Sequence, residues 1–122
     1  MKLQRLTALS LGLAASLAAS GALAQNHIVV NKTLLGSTAH KECVNLTDQQ
    51  QVRYWYRAEA PIDFNIQFVD NKATVYPVKR DAQTIGSGTY TPKSAQQVTC
   101  LVWTNTGKRP ILFRVELARI GR

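Results

Sequence analysis

From Ile28 onward the chain alternates apolar and polar residues in short runs, the period of two expected when successive side chains point to opposite faces of a sheet. Val52, Tyr54, Tyr56 and Ala58 fall on one parity, and Arg53, Trp55 and Arg57 fall on the other. Ile62, Phe64, Ile66 and Phe68 alternate in the same way with Asp63, Asn65 and Gln67. Further β-rich runs cover Ile28 to Leu35, Cys43 to Leu46, Ala73 to Val78, Thr89 to Thr91, Val98 to Thr104 and Ile111 to Ala118. Turn residues punctuate them: Gly36-Ser37-Thr38, Thr47-Asp48-Gln49-Gln50, Asp70-Asn71-Lys72 and Asn105-Thr106-Gly107. The polar stretch KRDAQTIGSG, residues 79 to 88, is expected to be a loop. No helical stripe competes beyond the N-terminal segment. The pattern predicts an antiparallel β-sandwich of about seven or eight short strands.

Pro61 is expected to break the longest run. A hairpin turning around Ala60 would then set Tyr56 opposite Phe64 and Tyr54 opposite Ile66 on the buried side, with Arg57 opposite Asp63 and Trp55 opposite Asn65 on the other.

The first residues follow a different logic. Lys2 and Arg5 precede an apolar stretch that ends in Ala22-Leu23-Ala24, the layout of a secretory leader with cleavage after Ala24. The stretch is interrupted by Ser10, Ser16 and Ser20 and is short for a membrane span. The expected domains are therefore a leader over 1–24 and one domain over 25–122, exported to a bacterial periplasm or the medium, with no membrane span in the mature part. Export suits disulfides, and the only two cysteines, Cys43 and Cys100, allow one bridge. Closing that loop would stabilise the domain by about 4 kcal/mol in the chain-entropy model. Each cysteine lies in an apolar run, as staples between sheets often do.

Charge narrows the partners. Fifteen Lys and Arg face seven Asp and Glu, and only Lys2 and Arg5 leave with the leader. Lys108, Arg109, Arg114, Arg119 and Arg122 crowd the C-terminus against Glu116 alone. Such a chain favours anionic partners, although net charge also keeps a small domain soluble. Arg53, Trp55 and Arg57 together form a candidate binding face: an indole between guanidinium groups can stack on a ring and hold an anion. The competing reading is an ordinary solvated sheet face. The expected partner is an unknown protein or an anionic ligand, and nucleic acid is not the expected one.

Enzymatic signals are poor: the sequence carries no glycine-rich phosphate loop, metal-ligand motif or meaningful Ser-His-Asp spacing. A non-enzymatic binding module without a resident cofactor is expected. A separate metal site follows only from the leader: cleavage after Ala24 would place His27 third, after Gln25 and Asn26. The α-amine, two amide nitrogens and the imidazole would then form a square plane for Cu(II) or Ni(II). Cyclisation of Gln25 would remove the amine.

Several short motifs together resemble a known family. Glu42-Cys43, VRYWYRAEAPIDFNIQF (residues 52 to 68), Gly88-Thr89-Tyr90, TCLVWTNTG (residues 99 to 107) and LFRVEL (residues 112 to 117) resemble, in that order, the Golgi-dynamics (GOLD) domain. The resemblance implies a β-sandwich in which an early Glu-Cys strand is bridged to a late Cys strand. The cargo receptors that carry this domain continue into a coiled coil, a membrane span and a cytoplasmic tail, whereas the sequence here stops at Arg122. Only a binding sandwich is implied, not a role in coat recruitment. Ser87-Gly88-Thr89-Tyr90 followed by Trp103-Thr104 also resembles periplasmic lysozyme inhibitors, with the expected lysine displaced to Lys108 and a positive charge that opposes docking to basic lysozymes.

Overall fold

The structure is a computed structural model that describes residues 27–94 and 97–121. The leader expected over 1–24 lies outside the described residues, as do Gln25 and Asn26. The chain adopts the all-β, antiparallel architecture that the alternation predicts, in six strands: β1 (His27–Leu34), β2 (Thr38–Leu46), β3 (Gln50–Asp70), β4 (Ala73–Tyr90), β5 (Gln97–Asn105) and β6 (Ile111–Gly121). Among the described residues no helix is long and apolar enough to cross a membrane.

β3 organises the rest. Its first part, Gln50 to Ala58, pairs with β6, which in turn pairs with β1. Its later part, Asp63 to Gln67, pairs with β5, which pairs with β2. β4 follows β3 along both parts. The hydrogen-bonded sheet thus folds over at β3 into two facing halves, β1–β6–β3–β4 and β2–β5–β3–β4. The fold-over is visible in the rings. The Phe64 ring centroid lies 4.8 Å from that of Tyr56 on the same strand. Eight residues of straight strand would span about 26 Å.

The expected hairpin at Ala60 is therefore not formed, and Val52 to Val69 runs within one strand. Pro61, which has no N–H to give a ladder, sits exposed in the register shift between Arg57 and Ile62. It bends the strand where a break was expected. Tyr56 and Phe64 meet across the fold-over, not as cross-strand partners. Arg57 lies opposite Ile85 and Arg114 instead of Asp63, and Trp55 opposite Ser87 and Glu116 instead of Asn65. Asp63 Oδ1 accepts instead from the Ala82 N–H at 2.9 Å. The stretch 79 to 88 is part of β4, not a loop. At Asn71 and Lys72 both φ angles are positive (50° and 67°), the backbone of a two-residue type I′ hairpin turn.

The core lies between the halves. Tyr56, Phe64, Trp103 and Phe113 form a continuous ring cluster, and Leu34, Leu46, Val52, Ile62, Ile66, Leu101 and Val115 are each at most 1% exposed around it. The chain crosses between the halves at 47–49 and after Tyr90 at one end, and at 35–37 and 106–110 at the other, where these last two crossings meet. Asn105, only 2% exposed, ties these crossings together. Its Nδ2 donates to Leu34 O at 3.0 Å and to Arg109 O at 2.8 Å, and its Oδ1 accepts from the Gly107 N–H at 3.0 Å. Ser37 N–H reaches back to Asn105 O and Gly107 O at 2.9 and 3.0 Å. Gly36 makes this approach feasible, because a Cβ there would stand 2.3 Å from Lys108 O.

Asn105→Ala is expected to lower the unfolding free energy by about 3 kcal/mol, since it strands a buried carbonyl and frees a loop amide. Gly36→Ala should cost a similar amount by forcing the crossings apart. Urea unfolding followed by tryptophan fluorescence reads both, and losses below about 1 kcal/mol would count against the cross-tie.

Candidate functional site

The outer surface of β1–β6–β3–β4 forms a grid set by the strand register. One cross-strand row is Val29, Glu116, Trp55 and Ser87. The next row toward the chain ends is His27, Ala118, Arg53 and Thr89, and the row on the other side is Asn31, Arg114, Arg57 and Ile85. Arg53, Trp55 and Arg57 thus share one outward face, as their parity predicts. Arg53 and Arg57 are exposed and Trp55 is half-buried.

Two hollows follow one another along this face, one beside Trp55 and one beside Arg57. One, of about 400 Å³, opens over the small Ala118 between His27, Arg53, Trp55 and Glu116. The other, of about 410 Å³, lies between Asn31, Lys32, Arg57, Arg114 and Glu59, whose carboxylate accepts from the Leu112 N–H. Together they make a shallow track along β6.

The charges along the track are uneven. Glu116 is held by Arg114 Nη2 at 3.1 Å, with His27 Nε2 at 3.7 Å from its other oxygen. Arg57 directly faces Arg114, a like-charge pair that a sheet normally avoids. With Arg114 committed to Glu116, Arg57 has no carboxylate partner among the described residues and lies 5.7 Å from the centre of the Trp55 ring, within cation–π range.

The ring platform rests on an unusual seam. In β4, Ser87 and Thr89 point outward while Gly86 and Gly88 point inward. A Cβ on Gly86 would stand 2.3 Å from the Tyr56 phenol oxygen, and one on Gly88 would stand 2.5 Å from that of Tyr54. The glycines make room for two tyrosine rings that stack 6.5 Å apart under the face. Burial raises the pKa of both phenols, Tyr56 to about 12, with the Tyr54 phenol adding to the effect on Tyr56 and Arg80 opposing it in both.

The remaining sequence candidates fall elsewhere. Cys43 and Cys100 are bridged, but between adjacent strands β2 and β5 on the outer side of the second half. The bridge is not a staple through the core, because Cys100 has the parity opposite to buried Thr99, Leu101 and Trp103. His27 reaches the edge of the Trp55 face, but the other ligands of the expected Cu(II) or Ni(II) site, Gln25 and Asn26, lie outside the described residues. Among the described residues no three His, Cys, Asp or Glu gather as a metal group. Ser87 and Thr89 flank Trp55, whereas Trp103 is fully buried, so the inhibitor-like segments do not share a surface.

Sequence reasoning gave no weight to His40 and Glu42, which the fold brings into a cluster. His40 Nε2 lies 2.7 Å from Glu42 Oε2, and its Nδ1 lies 3.5 Å from Lys32 Nζ. His40 also lies against Trp103 and Phe113. The cluster plugs the gap between edge strands β1 and β2 with inward-pointing polar groups, which discourages edge-to-edge association. The period-two spacing of His40, Val44 and Leu46 was the available signal.

No protein-family model matches the chain. No curated protein sequence matches it either. Solved structures do. The chain is similar to the Yersinia pseudotuberculosis-derived mitogen (TM-score 0.56, 9% identity, 76% of this chain and 85% of that one). It is also similar to PliG, a periplasmic lysozyme inhibitor of g-type lysozyme, from Aeromonas hydrophila (TM-score 0.56, 10% identity, 78% and 87%). PliG from Salmonella Typhimurium gives a TM-score of 0.54 at 15% identity, over 79% and 92% of the two chains. The likeness is one of fold.

The tyrosine seam sets an alkaline limit. The folded state holds the Tyr56 proton above the ordinary value near 10, so the stabilisation it contributes is complete below about pH 10 and is lost as pH rises to about 12. The melting temperature should fall across that window, and Tyr56→Phe should flatten the fall. An equally steep fall in the variant would place the alkaline sensitivity elsewhere.

Proposed function

We propose that this chain is an exported, non-enzymatic binding module that holds an acidic saccharide chain along the Trp55 face. The observation that carries the reading is Arg57: an exposed guanidinium against Trp55, set opposite Arg114 and without a carboxylate of its own. An anion placed there would relieve the like-charge pair and complete the site. The indole offers an apolar plane for a sugar ring, and Ser87 and Thr89 offer hydroxyls beside it. Glu116, already neutralised by Arg114, suits a sugar hydroxyl but repels a phosphate backbone. That carboxylate and the single aromatic platform favour a saccharide over nucleic acid. The two hollows, one beside Trp55 and one beside Arg57, suit successive units of an extended ligand. The Cys43–Cys100 bridge supports residence in an oxidising compartment. It also supports the Golgi-dynamics resemblance, which asks for an early Cys strand joined to a late one.

Titration with a uronic-acid oligosaccharide should change the Trp55 emission, and added salt should weaken the complex. Trp55→Ala and Arg57→Gln should each reduce affinity by about tenfold or more while leaving the melting temperature nearly unchanged. Unchanged binding in both variants would move the ligand off this face, and stronger binding of a DNA oligonucleotide would replace the saccharide reading.

A second reading, inhibition of a lysozyme-type enzyme, has the likeness to PliG in its favour. Under it, the purified chain should inhibit a g-type lysozyme at stoichiometric concentrations. Full lysozyme activity in its presence would remove that reading.

A further inference from the structure

The disulfide is built for access. Cys43 and Cys100 are directly opposed residues of neighbouring strands, and both project from the outer face of the second half, away from the core. Cys43 is exposed and lies on β2, an edge strand, so no strand lies beyond it in the sheet. A nucleophile aligned with the S–S bond therefore reaches the Cys43 sulfur from open solvent. On the other side, Cys100 borders a hollow of about 710 Å³ lined also by Gln67, Val69, Lys93 and Val98. Val69 and Val98 are 69% and 56% exposed, so the floor of that hollow is open to a partner. Lys93 supplies a positive charge on the side where a Cys100 thiolate would form, and Asp70 lines the same hollow.

In the folded state the bridge spans strands whose register the ladder also fixes. Lys41 with Val102 and Asn45 with Val98 pair on either side of it. Neither cysteine belongs to the buried core. Exposed bridges of this kind are the labile ones, since thiol–disulfide exchange requires a path for the attacking thiolate and a stabilised leaving sulfur.

We infer that Cys43–Cys100 is an exchange site, opened in the folded protein by an external dithiol. The thiolate of the dithiol bonds to Cys43 Sγ as the S–S bond breaks, and the electron pair leaves on Cys100 Sγ. The second thiol of the reductant then attacks the mixed disulfide and releases Cys43. Two electrons pass to the protein, the reductant becomes a cyclic disulfide, and its two thiol protons end on Cys43 and Cys100. In the product, edge strand β2 is held to β5 by the ladder and by the packing of Val44 and Leu46, without the covalent link.

The test is the rate of reduction of the native protein by dithiothreitol, trapped by alkylation and read by mass, across urea concentrations below the unfolding transition. Direct attack gives a rate proportional to thiolate and flat in urea. A rate that climbs with urea in step with global opening, or no reduction without denaturant, overturns the inference. This reading does not depend on whether the reduced chain stays folded. Lys93→Gln should slow the reaction by roughly threefold at low ionic strength, and an unchanged rate would remove Lys93 from the leaving-group role.

Discussion

One buried amide holds the two crossings at one end of this fold. A sheet that folds over must pass its chain from one half to the other, and each crossing leaves backbone groups that no ladder satisfies. Asn105 takes up these groups for the two crossings at one end: its amide bonds Leu34 and Arg109 carbonyls, and its oxygen takes the Gly107 amide. Glu59 performs a related service at the bend of β3, where its carboxylate accepts the Leu112 N–H at 2.8 Å as β3 parts from β6. With these ties in place, the aromatic cluster from Tyr56 to Phe113 can close between the halves. Without them the same residues would face each other across a hinge.

Sharing β3 and β4 between the halves also decides what each outer surface can do. The alternation that buries Tyr54, Tyr56, Phe64 and Ile66 sends Trp55 to one outer face and Gln67 to the other. The Trp55 face and the disulfide therefore stand on opposite halves, joined by the same two strands. The Gly86–Gly88 seam is the local accommodation that keeps this arrangement packed. Two tyrosine rings need thickness, and the strand beside them gives up its inward side chains.

Much of this was legible in the alternation, and the failures are instructive. Arg53, Trp55 and Arg57 share a face because period two is a local rule, independent of which strands pair. Arg57 opposite Asp63 failed because pairing is not local: proline at 61 can end a strand or merely bend it, and only the tertiary closure selects the bend. The segment 79 to 88 looked like a loop because its glycines signal flexibility when their neighbours are unknown. Their reason is the pair of rings from β3, which no local window contains. The pairing of Cys43 with Cys100 followed from counting. Its outward orientation was also available, in the opposite parity of Thr99, Leu101 and Trp103, but the apolar surroundings pointed inward. His40 and Glu42 gained meaning only when β1 was placed beside them to bring Lys32.

The juxtaposition of Arg57 with Arg114 is the feature least explained by stability. Like charges directly across a ladder cost a few tenths to about 1 kcal/mol. The fold tolerates that cost because the core and the corner ties lie elsewhere and do not depend on this row. A solvated face with no task would be expected to place a carboxylate or a neutral residue opposite Arg114, as it places Glu116 beside it. Instead the second guanidinium lies over an indole, with a hollow beside each of them. Local disagreement with the rules of sheet design concentrates where a surface is shaped for something outside the molecule. Here the disagreement is one of charge, and it is this that the proposed function answers: an anion would complete the row, and the adjoining ring plane and hydroxyls would give it a saccharide frame.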